Sequence, residues 1–223
     1  MMRFSFLRQP RNVALVSYHI PKTAGTSFRK MLEAEFGKNN VVGLYNPQEA
    51  NAFSNGAELR FKNKLSAIHG HFKPHKNHKI SYPSAKTMVW VRDPVERIWS
   101  HVGHLLKLKE QHPHFGELSR IYIQKGIVSQ SKIVSDIIKN QTLPYMVDFY
   151  SRFFSNVSIN DIDFVGSIHQ FDRHVLLLNE MFSMKLKPKK TNVLSSTDIP
   201  SEVKALESLL RHEYETVSYT HLR

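Results

Sequence analysis

Lys22, Thr23, Ala24, Gly25, Thr26 and Ser27 put a lysine, three hydroxyls and a glycine into one short stretch. An apolar run, VALVSYHI at 13–20, precedes them, and Phe28, Met31, Leu32 and Phe36 follow at helical spacing. A turn from strand into helix carries unpaired backbone N–H groups and the positive end of the helix dipole, a setting in which anions bind. Gly25 would allow close backbone approach or a positive φ. The hydroxyls add donors, and Lys22 adds a full charge. The chemistry implied is a phosphate cradle. It is not G-x-x-x-x-G-K-[ST], because the lysine comes first and there is one glycine. A competing reading is an ordinary helix start capped by Thr26 or Ser27. That accounts for the hydroxyls but not for the lysine and glycine together.

A second stretch repeats the logic. Arg92 follows the apolar run TMVWV (87–91), and Asp93-Pro94 reads as an N-cap followed by the first helical residue. Ser100 lies on that helix, so Arg92 and Ser100 can converge on one anionic group. Arg97 and His104 share its stripe at i−3 and i+4. The competing readings are a salt bridge from Arg92 to Asp93 or Glu96, and a solvated Ser100. A third set is His69 and His71 in SAIHGHF (66–72), two apart on a strand and therefore on the same side. Imidazole is a suitable base near neutral pH. His75 and His78 read as part of a surface loop, KPHKNHK. These four histidines could ligate a metal, but no carboxylate or cysteine accompanies them, and no metal is expected.

The elements needed to position these groups are legible. Strands at 13–20, 41–45, 66–72, 87–91 and 163–168 alternate with helices. The helices run from Phe28 to about Gly37, from Asp93 onward, over about 130–154, from Phe171 to Met184 and from near Pro200, with 46–65 weakly helical. Continuously apolar strands imply an α/β fold: a central parallel sheet with helices on both faces, in three layers. Ligands in such sheets sit at the carboxyl ends of strands, where all three sets above lie. A chain of 223 residues suits one domain spanning 1–223. Trp90 and Trp99 are expected in the core.

Absent cysteine excludes disulfides, thiolate zinc sites and a cysteine nucleophile, and is compatible with the cytosol. Lys and Arg number 31 against 19 Asp and Glu, a net charge of +12 that favours anionic partners. No apolar run reaches the ~18 residues of a membrane span, and VALV is too short for a signal-peptide core. The expectation is a cytoplasmic protein with no transmembrane segment, leaving room for peripheral contact with a membrane surface.

HIPKTAGTS (19–27), with an Arg-Asp-Pro stretch and a serine eight residues after its arginine, resembles the sulfotransferases that use 3′-phosphoadenosine 5′-phosphosulfate. The resemblance is to the carbohydrate group, particularly the heparan/uronyl 2-O-sulfotransferase-like branch and its bacterial relatives, the family 2 type. HGHF (69–72) and DFVGSIHQFDRHVLLLNEMF (163–182) add softer matches, so that about 13–215 is covered. The resemblance implies a P-loop-like fold and assigns the 5′-phosphosulfate to Lys22, Thr23, Ala24, Gly25, Thr26 and Ser27. It assigns the 3′-phosphate to Arg92 and Ser100. Lys22 is implied in catalysis, and the base falls in the histidine segment, His71 ahead of His69. It implies that the basic loop 185–190, with Thr191 and Asn192, closes over the nucleotide; a solvated charge run is the alternative. Gly166 would lie near the adenine or simply end a strand.

The charge suggests an acidic or sulfated glycan as acceptor, with Lys73, Lys76 and Lys79 as contacts. The family's usual anchor is not seen at the start, and VSYTHLR (217–223) departs from its usual end, as a truncated or foreign sequence would. The rivals are a P-loop kinase, which needs Mg²⁺ and a free carboxylate that Asp93 does not offer, and a nucleic-acid binder, for which no recognition motif is present.

Overall fold

The computed structural model describes residues 13–59, 66–188 and 199–218. In chain order the elements are β1 (Leu15–Tyr18), α1 (Gly25–Phe36), β2 (Val41–Leu44), α2 (Pro47–Ser54), β3 (Ala67–Gly70), α3 (Lys76–Ser81), β4 (Lys86–Val91) and α4 (Pro94–Leu108). There follow α5 (Phe115–Ile121), α6 (Gln130–Asn140), α7 (Pro144–Val147), α8 (Phe149–Phe153), β5 (Phe164–Ser167), α9 (Phe171–Phe182), α10 (Ser201–Lys204) and α11 (Arg211–Val217). The strands form one parallel sheet in the order β2-β3-β1-β4-β5.

Period-two alternation sends the apolar strand residues to two cores. Val16, Tyr18, Ile68, Val89, Val91 and Val165 pack with Phe53, Tyr82 and Phe153 on one face. Leu15, Ala67, Met88, Trp90 and Phe164 pack with Phe28, Leu32, Val175 and Leu178 of α1 and α9 on the other. Both faces are covered, which is why each strand reads as an unbroken apolar run. β1 is the central strand, paired with β3 on one side and β4 on the other, and the chain crosses from one side to the other between β3 and β4. The switch point therefore brings the turns after β1, β3 and β4 to one edge.

A third core joins α4 to α5, α6, α7 and the 203–210 segment through Val95, Ile98, Trp99, Val102, Ile133, Ile137 and Leu206. Trp90 and Trp99 are buried, as expected. The helix expected over 130–154 is three helices, because Gln141 turns left-handed (φ 51°) and Pro144 starts a new turn. α9 stops two residues before Met184, where Ser183 is left-handed (φ 55°). The KPHKNHK stretch is not a loop throughout: His75 caps α3, and His78 is a core residue. Its ring stacks on Phe53 at 4.0 Å, and its Nε2 lies 2.8 Å from the Phe53 carbonyl. Gly166 sits within β5 because a Cβ there would meet the Trp90 ring at 2.4 Å, so its smallness serves packing. The first part of the basic loop is pinned, with the Leu186 backbone exchanging two hydrogen bonds with the Asn179 side chain. Lys189, Lys190, Thr191 and Asn192 lie outside the described residues, as do 219–223.

Arg97 lies on α4 with Ser100, as expected, but its charge is turned into the core. Its guanidinium is buried, donates to the Met146 carbonyl and lies over the rings of Phe149 (4.3 Å) and Tyr150 (5.4 Å). The fully buried carboxylate of Glu213 supplies the opposing charge and accepts from the backbone N–H groups of Tyr150 (2.7 Å) and Ser151 (2.9 Å). Removing one side of such an arrangement strands the other. Glu213→Ala should therefore cost about 3–5 kcal/mol in urea unfolding. A loss below about 1 kcal/mol, the size of a surface pair, would show that Arg97 is compensated otherwise.

Candidate active site

The backbone of the turn after β1 has a geometry that an anion could occupy. α1 begins at Gly25 with Ala24 as N-cap, and no side chain among the described residues caps it. This removes the reading in which Thr26 or Ser27 does the capping. Positive φ falls on Lys22 (73°) and Ala24 (60°), not on Gly25. A left-handed residue followed by a helical one turns successive N–H groups to the same side, an arrangement that concentrates positive potential. Two non-glycine residues in this conformation mark a loop held in strain by its surroundings. Thr23 is part of that hold. It is fully buried, and its hydroxyl donates to the Ile20 carbonyl (2.7 Å), so it shapes the turn instead of offering a free donor. Thr26 is exposed at the helix start, and Ser27 is buried.

Gly25 has a different reason from the expected one. A Cβ there would lie 1.8 Å from Nε2 of His19, so the His19 ring occupies the space a side chain would take. The Gly25 carbonyl accepts from His69 Nε2 (3.2 Å), which leaves His69 Nδ1 to accept from the Ser17 hydroxyl (2.9 Å). His69 is fully buried, and burial pushes its pKa down to about 3. β3 ends at Gly70, so His71 stands one residue past the strand, yet its N–H still bonds the Leu44 carbonyl (2.9 Å). Its ring lies 4.5 Å from that of His19 and 4.9 Å from that of Tyr45. His69 also stacks on His19, at 5.1 Å, so the two histidines do share a side. His71 is exposed, and partial desolvation lowers its pKa. His19 is buried, is held well below the usual histidine range by burial and its two histidine neighbours, and meets the Tyr45 hydroxyl at 3.3 Å.

On the other side of β1, Arg92 leaves β4 beside Lys22. Burial, then the charges of Arg92 and Lys107, lower the Lys22 pKa, so cations converge here. Arg92 Nε pairs with Glu96 (3.2 Å), the competing reading of the sequence, and Glu96 also takes His169 (3.2 Å). An arginine carries five N–H donors, so this pair leaves others for a ligand. Tyr150 fixes the Arg92 backbone: its hydroxyl accepts from the N–H (3.0 Å) and donates to the carbonyl (2.7 Å). Asp93 caps α4 through the Glu96 N–H (3.0 Å) and accepts from Tyr214 (2.7 Å), so both its oxygens are used. Ser100 is buried on α4, and its hydroxyl is without a hydrogen-bond partner among the described residues. Buried hydroxyls are nearly always paired. With the uncapped start of α1 and the converging cations, this orphan fits a ligand that brings two anionic groups.

Lys73 and Lys79 are anchored at exposed positions. Their ammonium groups donate to the carbonyls of Arg152 (3.1 Å) and Asp161 (3.0 Å). The sequence reading assigned no role to His19 or Tyr45. Period-two spacing of Ser17 and His19 on β1 against His69 and His71 on β3 was the available signal. Tyr150 and Glu213, distant in sequence, gave none.

The buried histidines make stability depend on pH. His69 holds out against protonation to about pH 3 and His78 to about 4, both through burial, whereas in the unfolded chain each takes up a proton near 6.5. The stabilisation is thus complete above about pH 6.5 and is lost as pH falls, by about 1.4 kcal/mol per pH unit for each such histidine. Melting temperature should drop steeply below about pH 6.5, and His69→Gln should flatten that drop. A melting temperature that stays constant down to pH 4 would contradict the assignment of neutral buried rings.

A family profile described as the sulfotransferase family matches residues 4–210. The solved structure of a sulfotransferase from Alicyclobacillus acidocaldarius aligns at 13% identity, covering 94% of this chain and 97% of that one, with a TM-score of 0.49. That of mouse sulfotransferase SULT7A1 complexed with PAP aligns at 14% identity over 96% and 68%, with a TM-score of 0.36. No curated protein sequence matches. No helix among the described residues is long and apolar enough to cross a membrane. With the profile spanning nearly the whole sequence, the chain belongs to the sulfotransferase family.

Proposed function

We propose that this sulfotransferase takes 3′-phosphoadenosine 5′-phosphosulfate as donor and a carbohydrate hydroxyl, on an acidic or sulfated glycan, as acceptor. The observation that carries the donor reading is the pair of anion positions on one edge of the sheet. One is the uncapped start of α1 with Lys22, and the other is Arg92 with the unpartnered Ser100 hydroxyl. A donor bound there supplies an activated sulfuryl group. Lys22 and the amides of Ala24 to Ser27 hold negative charge at its phosphosulfate end. Arg92 and Ser100 hold the 3′-phosphate, so that remote binding energy orients the reacting end.

His71 takes the proton of the acceptor hydroxyl. Its lowered pKa keeps a ring nitrogen unprotonated near neutral pH, and its exposed position lets an acceptor reach it. His69 has both nitrogens engaged, to Ser17 and Gly25, and serves the loop. Lys22, held below the usual lysine range, can also lend a proton to the leaving phosphate. The net charge of +12 favours an anionic acceptor. The kinase alternative is disfavoured by Asp93, whose two oxygens are committed to Glu96 N–H and Tyr214.

Two measurements test this reading. Adenosine 3′,5′-bisphosphate should raise the melting temperature more than AMP or ATP does. Arg92→Ala should remove about 1.5–3 kcal/mol of that binding and Ser100→Ala about 0.5–1.5. Equal shifts with AMP and the bisphosphate would overturn the second anion position.

Sulfate transfer from labelled donor to neutral and acidic polysaccharides, phenols and lipids tests the rest. His71→Ala should lower kcat by about 10²–10⁴-fold with the fold intact, whereas His69→Ala should first lower stability. Transfer to a phenol or lipid with none to any glycan would reject the acceptor class.

A further inference from the structure

Beyond Ser100 the same helix runs into a wall of histidines. His101 and His104 lie on α4, and His112 and His114 lie on the turn before α5. Their rings form a series: His101 to His112 at 6.0 Å, His104 to His112 at 5.6 Å and His112 to His114 at 5.5 Å. His114 then stacks on Tyr145 at 5.5 Å. Both ring nitrogens of His101 and the Tyr145 hydroxyl are buried without a hydrogen-bond partner among the described residues, like the adjacent Ser100 hydroxyl. An imidazole carries at least one N–H, so His101 holds a buried donor that nothing accepts. Among the described residues no group of histidine, cysteine or carboxylate side chains is arranged to hold a metal ion.

The charges facing the wall are mostly positive. Lys22 acts on His101, His104 and His112 from the loop after β1. Lys107 acts on His104, and buried Arg97 acts on His101, both from α4. From α5, Glu117 acts on Tyr145 at the far end. Unspent donors in a positive field call for an anion.

We infer that His101, His104, His112 and His114 form a further anion-binding site, next to the nucleotide cradle but separate from it, that takes a sulfate or carboxylate group with uptake of protons. The inference rests on the acidic-acceptor reading above and gives the acceptor's charged substituent a place. Without an anion, burial holds His104 and His112 below the usual histidine range, followed by Lys22, His112 and Lys107 for His104 and by His114 and Lys22 for His112. A bound oxyanion reverses that balance, so affinity rises as pH falls, by at most about tenfold per pH unit for each proton taken up.

Sodium sulfate is the probe, because its charge does not change over this range. Imidazole resonances are titrated by NMR with and without sulfate at constant ionic strength, in the free protein and with saturating adenosine 3′,5′-bisphosphate. With nucleotide bound, sulfate should raise the apparent pKa of His104 and His112, and its Kd should fall several-fold between about pH 7.5 and 5.5. The double variant His104→Gln/His112→Gln should lose this pH-dependent part and keep the thermal shift given by the nucleotide. His112→Gln alone, on the turn after α4, gives the same readout at half strength should the double variant fold poorly. An unmoved titration, or equal responses in wild type and variant, would overturn the site. So would a sulfate response that disappears when the bisphosphate is added, because the wall would then be the nucleotide's own phosphate pocket. If the bisphosphate does not bind at all, the donor reading fails, and the nucleotide-free titration still decides the histidine wall.

Discussion

Gly25 is gripped from two sides by imidazoles, and the rest of the site depends on that grip. His19 fills the volume that any side chain at 25 would need, and His69 holds the carbonyl of the same residue. The loop after β1, the end of β1 and the end of β3 are thereby one rigid unit. The unit also fixes the exposed His71, whose ring leans on His19. A loop with two left-handed non-glycine residues would relax if it were free. Here Thr23 anchors it below, and the imidazoles anchor it above.

The Arg92 end of the site is supported from the opposite end of the chain. Buried Glu213 on α11 holds the start of α8 by two backbone N–H groups, and Tyr150 of α8 clamps the backbone of Arg92. Arg97, over the Phe149 and Tyr150 rings, ties α4 to the same unit. The carboxylates near the site are spent on structure: Asp93 on a cap and Tyr214, Glu96 on Arg92 and His169, Glu213 on amides. What remains is a field dominated by lysine, arginine and neutral imidazole. Burial keeps the imidazoles uncharged, so the cradle is positive without being crowded by further fixed charge.

Much of this was legible in the chain because it is local. Strand, turn and helix periodicities are set by neighbouring residues, and a central parallel strand must be apolar on both faces, so VALV and TMVWV announce themselves. Asp93-Pro94 fixes a helix start through one cap and one ring. The association of Lys22 with Arg92 followed from the rule that ligands gather at strand ends. The sequence by itself therefore determined the sheet, its covering helices and the edge at which Lys22, Arg92 and the histidines gather.

Tertiary structure alone decided the duties of individual side chains, because those depend on partners far away in the chain. Gly25 serves the His19 ring and not a positive φ, and Gly166 serves Trp90. Thr23 is a brace, and Arg97 is a core cation held over rings of a helix some fifty residues on. His78 belongs to the core and His71 to the surface, although both sit in one histidine-rich stretch. Periodicity reports which face a residue takes. It does not report what the other side of that face contributes, and desolvation, hydrogen bonding and charge at these residues are set by that other side.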